Sequence, residues 1–205
     1  MQVYNYILNY FDKINFCQIK AKNFEQCIKL LLDHIEPNKV LGMGPKSYFD
    51  IFKIIENPDD YPKLLDSVIN IWTSLLFFNK NRFSVDINIF LGSDLKEKKR
   101  ELFSFCFFYL GGTYISQVEA RNIEEAVEKW IKLVQTKEKY EIWKLGDKLI
   151  EEMEIILKNE SKPKAIINAV NSWHSDFKLN HGRYPCTLYI MKTSKEIIKS
   201  DKIRE

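Results

Sequence analysis

Tyr4, Tyr6, Phe103 and Phe105 alternate with polar or small neighbours, the period of a strand with one buried face. They belong to two aromatic-rich pairs of segments. Val3 to Tyr10 and Ile14 to Lys20 flank Phe11-Asp12-Lys13, and Leu102 to Leu110 and Thr113 to Glu119 flank Gly111-Gly112. The Gly-Gly pair supplies the positive φ angles of a two-residue turn, so the second pair is predicted as a hairpin.

After each pair the period becomes helical. Cys27, Ile28, Leu31, Leu32 and Ile35 recur at the spacing of one helix face, as do Ala126, Val127, Trp130, Ile131 and Val134. Asn23 and Asn122 precede these stripes as N-caps, with Gln26 or Glu125 placed to return a hydrogen bond to the cap's own N–H. The middles of the two halves differ. Lys46 to Glu56 is predicted helical after the Gly42-Met43-Gly44-Pro45 turn, and a longer charged helix is predicted from Lys139 to Lys158.

Pro62 and Pro163 then suit the first turn of a third helix, where a missing N–H does no harm. Leu65, Val68, Ile69, Trp72 and Leu76 form one stripe there, and Ile166, Ala169, Val170, Trp173 and Phe177 form its counterpart. Phe83 to Leu91 and Tyr184 to Met191 read as closing strands, because Val85-Asp86-Ile87-Asn88-Ile89 alternates.

These parallels extend to identities. Ala21-Lys22-Asn23-Phe24-Glu25-Gln26-Cys27-Ile28 resembles Ala120-Arg121-Asn122-Ile123-Glu124-Glu125-Ala126-Val127. Farther on, Pro62/Pro163, Lys63/Lys164, Asn70/Asn171, Trp72/Trp173, Ser74/Ser175, Asn79/Asn180 and Arg82/Arg183 match at constant spacing. The expected fold is therefore α+β, a tandem duplication of a β-β-α-α-α-β unit. Each unit would hold a small antiparallel sheet covered by helices, with the units related by a pseudo-twofold axis. Residues 1–92 form the first unit, 93–101 a polar connector, 102–193 the second unit and 194–205 a charged tail.

An apolar share of 45% over 205 residues suffices for one good core or two small ones and marks a soluble globular protein. No run approaches the roughly 18 apolar residues of a membrane span. No basic segment followed by an apolar one opens the sequence, so a cytoplasmic location is expected. Net charge is only +3 and evenly spread, whereas phosphate-tracking proteins concentrate their cations on one stripe. Cys17, Cys27, Cys106 and Cys186 stand opposite Ser116, Ala126, Ile7 and Val85 of the other half. Cysteines that exchange with small or aliphatic residues read as reduced core fillers, and no CxxC spacing offers a metal site.

Chemistry-bearing residues are few. On a helix, Asn70 and Ser74 share a face away from the tryptophan stripe, as do Asn171 and Ser175, which makes these four binding candidates. Arg82 and Arg183, placed to meet helix carbonyls or a partner's carboxylate, complete the candidate binding set. Trp173-His174-Ser175-Asp176 with His181 and Cys186 collects nucleophile, base and acid types. The first half has Thr73 and Lys80 at the histidine positions, and nothing sets a base against a nucleophile, so no catalytic residue is assigned. Gly42-Met43-Gly44-Pro45 lacks the third glycine and one N–H of a phosphate cradle, so no cofactor is expected.

By elimination, the expected function is a non-enzymatic intracellular protein-binding module, such as an inhibitor or immunity protein that blocks a toxin or effector. The partner is another protein, and the chain is a monomer with pseudo-dimeric halves or a homodimer. Two alternatives are a nucleic-acid binder stacking bases on Tyr4, Tyr6, Phe105 and Phe107, which the charge pattern disfavours, and a hydrolase using His174, Asp176 and His181.

Overall fold

The computed structural model describes all residues except 11–12, 39–56, 58–60, 67, 79–82, 94–99, 139–141, 143 and 196–205. The chain forms an α+β structure of two compact units, one within Met1–Asp94 and the other within Leu95–Lys195. The first contains β1 (Gln2–Tyr10), β2 (Lys13–Ala21), α1 (Phe24–Asn38), β3 (Lys63–Leu64), β4 (Ile71–Phe78) and β5 (Phe83–Leu91). The second contains β6 (Glu101–Tyr109), β7 (Gly112–Ala120), α2 (Ile123–Leu133), α3 (Asp147–Ile155), β8 (Lys164–Ala165), β9 (Ser172–Leu179) and β10 (Tyr184–Thr193). A π-helical turn extends α2 over Val134–Glu138, and another extends α3 over Ile156–Glu160.

Each unit builds a five-stranded antiparallel sheet, in the orders β2-β1-β5-β4-β3 and β7-β6-β10-β9-β8. The two halves therefore share one topology. Their registers agree in detail, since Tyr6 faces Cys17 across β1 and β2 as Phe105 faces Ser116 across β6 and β7. Each core gathers residues of its own unit. Tyr4, Tyr6 and Leu8 meet Cys27, Ile28, Leu31, Leu32 and Ile35 in the first, and Phe103, Phe105, Phe107 and Tyr109 meet Ala126, Val127, Trp130 and Ile131 in the second. Both predicted helix stripes are buried.

The predicted third helix is the principal correction. Residues 62–78 and 163–179 each form a two-residue strand, a connection and an eight-residue strand. Trp72, Ser74 and Leu76 face the core as alternate residues of β4, and Trp173, Ser175 and Phe177 do so on β9. Spacings of three and four along Leu65, Val68, Ile69, Trp72 and Leu76 imitate a helix stripe. The alternation of Trp72, Ser74 and Leu76, with β-branched Ile71 before it and Thr73 within it, is the pattern the chain follows. The tryptophans nevertheless occupy like places: the Trp72 ring lies 6.4 Å from that of Tyr4, and Trp173 lies 6.0 Å from the matched Phe103.

Smaller differences have local causes. The hairpin residues of positive φ are Leu110 at 49° and Gly111 at 79°, because Gly112 already pairs with Tyr109 in the sheet. Helix α3 starts at Asp147, after Gly146 in an extended conformation; the predicted start at Lys139 lies outside the described residues, as does the predicted helix at 46–56. At both N-caps the side chain of Asn23 or Asn122 accepts from the N–H three positions on, at 2.9 and 2.8 Å. The returning bond goes one residue farther than expected, from the N–H of Lys22 to Gln26 and from that of Arg121 to Glu125.

Glu125 also accepts from the Arg121 guanidinium at 2.7 Å and pairs with Lys129 at 2.9 Å. These donors, Arg121 first, hold its carboxyl down at about 2, from an ordinary 4.5. A carboxylate whose folded value is depressed lends stability that is whole above its unfolded value and lost as pH falls through the folded one. Stabilisation of α2 should thus fade between about pH 4.5 and pH 2. Glu125→Gln should flatten that part of the acid limb in a pH series of thermal melts, and an unchanged limb would contradict the assignment.

Candidate functional site

Asn70 and Asn171 stand immediately before β4 and β9 with φ of 56° and 55°, the left-handed region that asparagine tolerates better than most residues. Their carbonyls accept equivalent bonds, Asn70 from the Leu91 N–H at 3.1 Å and Asn171 from the Lys192 N–H at 3.0 Å. Each connection is closed in the same way, by Leu65 N–H to Ile71 O at 2.8 Å and by Ile166 N–H to Ser172 O at 2.9 Å. The matched asparagines thus turn the chain into a strand, and Asn70 is buried. They present no shared helix face.

Ser74 and Ser175 are buried on the core side, beside the tryptophans that they were expected to avoid. Ser175 donates through Oγ to the carbonyl of Ser161 at 2.6 Å, securing the residue that ends the π turn after α3. Arg183 is exposed in the turn before β10, and its backbone N–H donates to Asn180 O at 3.2 Å. Arg82 lies outside the described residues. Four of the six candidates therefore sit in two equivalent places in the fold, where they shape backbone and core.

The histidine cluster divides between two faces of a sheet. His174 Nε2 lies 3.5 Å from Asp176 Oδ2 on β9, Thr187 on β10 donates to Asp176 at 2.7 Å, and the His174 ring stacks on Tyr189 at 6.0 Å. Burial, with Asp176 and Cys106 adding to it, pushes the Tyr189 phenol up to about 12. Cys186 lies on the opposite, core-facing side with Leu188 and Ile190, and burial pushes its thiol up to about 12. His181 sits in the turn at φ 53°. There the Glu152 carboxylate accepts from the Asn180 and His181 N–H groups at 2.9 and 3.3 Å. The two nucleophile types of the cluster, Ser175 and Cys186, thus face the core, on the side of the sheet opposite His174 and Asp176. Among the described residues no group of three or more His, Cys, Asp or Glu could hold a metal ion.

Tyr4, Tyr6, Phe105 and Phe107 are fully buried beneath α1 and α2. They cannot stack bases without unfolding the core, which corrects the stacking platform expected of them.

Sequence reasoning missed the surface that the corrected strands expose. Ile69 and Val170 occupy matched positions just before the left-handed asparagines and are 38% and 52% exposed. Leu64 and Ile167 extend these apolar connections at 53% and 87%, and Leu75 and Phe77 stand exposed on the side of β4 that faces away from the core of its unit. The signal was present: both connections keep an aliphatic one residue before the asparagine. A helical reading placed that aliphatic in the core.

Two matched polar pairs were also missed. Gln18 donates to Asn5 at 2.7 Å across β1 and β2, and Gln117 donates to Ser104 at 2.9 Å across β6 and β7. These are the same register positions of the two sheets, with Asn5 and Ser104 buried. Ser104 also bonds Thr193.

No protein-family model matches the chain, and no curated protein or solved structure matches it either. Among the described residues no helix is long and apolar enough to cross a membrane.

Proposed function

We propose that the chain is a non-enzymatic protein-binding module of the cytoplasm whose work is done by occupying another protein's surface. An inhibitor or immunity protein that blocks a toxin or effector is the form of this role that we favour. The observation that carries the reading is the pair of exposed aliphatics, Ile69 and Val170, at equivalent positions of the two units. Exposed apolar groups on connections held by short backbone hydrogen bonds are pre-organised contact points, and ordering them in a complex costs little. Supporting residues are Leu64, Ile167 and the exposed turn residue Arg183, a residue type enriched at interface centres.

We further infer that the chain arose by tandem duplication. Residues 1–92 and 102–193 are then the repeats, 93–101 a connector and 194–205 a tail. The matched turns at Asn70 and Asn171 support this, and so do the matched polar pairs on β1–β2 and β6–β7. Each copy then offers one aliphatic tip, and one ligand could engage either.

The test begins with affinity capture from the native cell and identification of the retained protein by mass spectrometry. That protein is then titrated against Ile69→Asp and Val170→Asp variants whose circular dichroism matches the wild type. Each substitution should weaken binding about tenfold, the loss expected for an interface residue of moderate weight. Undiminished affinity of both folded variants would refute the reading.

A further inference from the structure

We propose that Cys17 is an oxidation site, a thiol set between His34 and Tyr6 to react with a small hydroperoxide and form a sulfenic acid. Of the four free cysteines, Cys27, Cys106 and Cys186 are buried, and Cys17 alone is partly exposed. Its sulfur lies 3.5 Å from Nε2 of His34 on α1 and 3.9 Å from the carbonyl oxygen of Gln18. The third member faces it across the strand pair. Tyr6 is the register partner of Cys17 and is fully enclosed, and among the described residues its hydroxyl has no hydrogen-bond partner. Burial, reinforced by the neighbouring Cys17 sulfur, raises the Tyr6 phenol above the ordinary tyrosine range, so it remains an O–H donor on the face of the strand pair that carries that sulfur. An enclosed donor without an acceptor is costly. A sulfenic oxygen or a thiolate at Cys17 would supply the acceptor.

The second unit shows what this place looks like without the chemistry. At the matched positions stand Phe105 for Tyr6, Ser116 for Cys17 and Leu133 for His34. There Ser116 is satisfied by the Trp130 indole N–H at 2.9 Å. Thiol, imidazole and phenol are thus confined to one unit, in the same frame of strands and helix.

In the proposed step the Cys17 S–H proton passes to Nε2 of His34, and the sulfur attacks one oxygen of hydrogen peroxide. The O–O bond breaks as the S–O bond forms, and the sulfur gives up two electrons to the peroxide. The departing hydroxide takes the proton back from the imidazolium and leaves as water. The products are Cys17–SOH and water, the first rung of thiol oxidation. A partly enclosed sulfur suits a small neutral oxidant, because a large charged disulfide would have to part the strand pair from α1.

The experiment treats the folded chain with hydrogen peroxide in the presence of dimedone and maps adducts by peptide mass spectrometry. The expected result is one adduct, at Cys17, that is absent from Cys17→Ser. His34→Leu takes the residue found at the matched position of the second unit and should slow adduct formation about a hundredfold, the low end of what a general base contributes. If that variant loses its native circular dichroism, His34→Gln takes its place. Equal labelling of Cys27, Cys106 or Cys186 in the folded chain would overturn the proposal. An unchanged rate at Cys17 in a folded His34 variant would do the same.

Discussion

Trp130→Ala is expected to lower the unfolding free energy by about 4 kcal/mol, within the range for truncating a fully buried aromatic. The indole is enclosed at 1% exposure, stacked on Phe105 with 5.0 Å between ring centres and set edge-on to Phe107 at 5.6 Å. Its removal leaves a cavity between α2 and the sheet that rigid strands cannot close. It also takes away the donor to Ser116 Oγ, a buried hydroxyl that would then lack this partner. Trp130→Phe should recover most of the loss and leave about 1 kcal/mol, the worth of that hydrogen bond. Guanidinium unfolding followed by near-ultraviolet circular dichroism distinguishes the two variants. A loss below about 1.5 kcal/mol for the alanine variant would mean that the site collapses freely, against the packing described.

The contrast between the two outer helices and the middle of each unit shows what was legible in the sequence. Hairpins and first helices could be read because local and global signals agree there. Asn23 and Asn122 cap, the stripes after them have a single period, and the alternation of Tyr4 and Tyr6 admits no helix. Residues 62–78 mislead because two periods overlap in the same apolar positions and Pro62 suits either a helix start or a short edge strand. Asn70 should have decided the matter: asparagine is poor inside a helix and common where the backbone turns left-handed. Read that way, Lys63/Lys164, Asn70/Asn171, Trp72/Trp173 and Ser74/Ser175 mark the same strand–turn–strand in the two halves.

The candidate site suffered from the same error at one remove. Read as a helix, the segment puts Asn70 and Ser74 on one outward face by their spacing of four. In the strand, the same residues become a turn residue and a core hydroxyl. The oxidation site was hidden for a different reason, since Tyr6, Cys17 and His34 lie on three elements and only register and helix docking join them. Sequence comparison between the halves gave each cysteine a plain replacement but could not show that three replacements meet at one point.

If Asn70 and Asn171 persist because of backbone conformation, replacing both with valine should cost about 4 kcal/mol in total. A left-handed conformation costs an ordinary L-residue roughly 1–2 kcal/mol, and β-branching adds to it. Replacing both with glycine should stay within about 1 kcal/mol of the wild type, because glycine adopts positive φ without strain and loses only its greater unfolded-state freedom. The bonds from Leu91 and Lys192 are to main-chain carbonyls and survive either change only if the turn keeps its shape. Denaturant titration of both double variants, with amide exchange at Leu91 and Lys192 as a local readout, separates conformation from side-chain chemistry. Valine should expose both amides, and glycine should leave them protected. If glycine were as damaging as valine, the carboxamides themselves would be the conserved feature, and a binding role for these asparagines would return in place of the structural one.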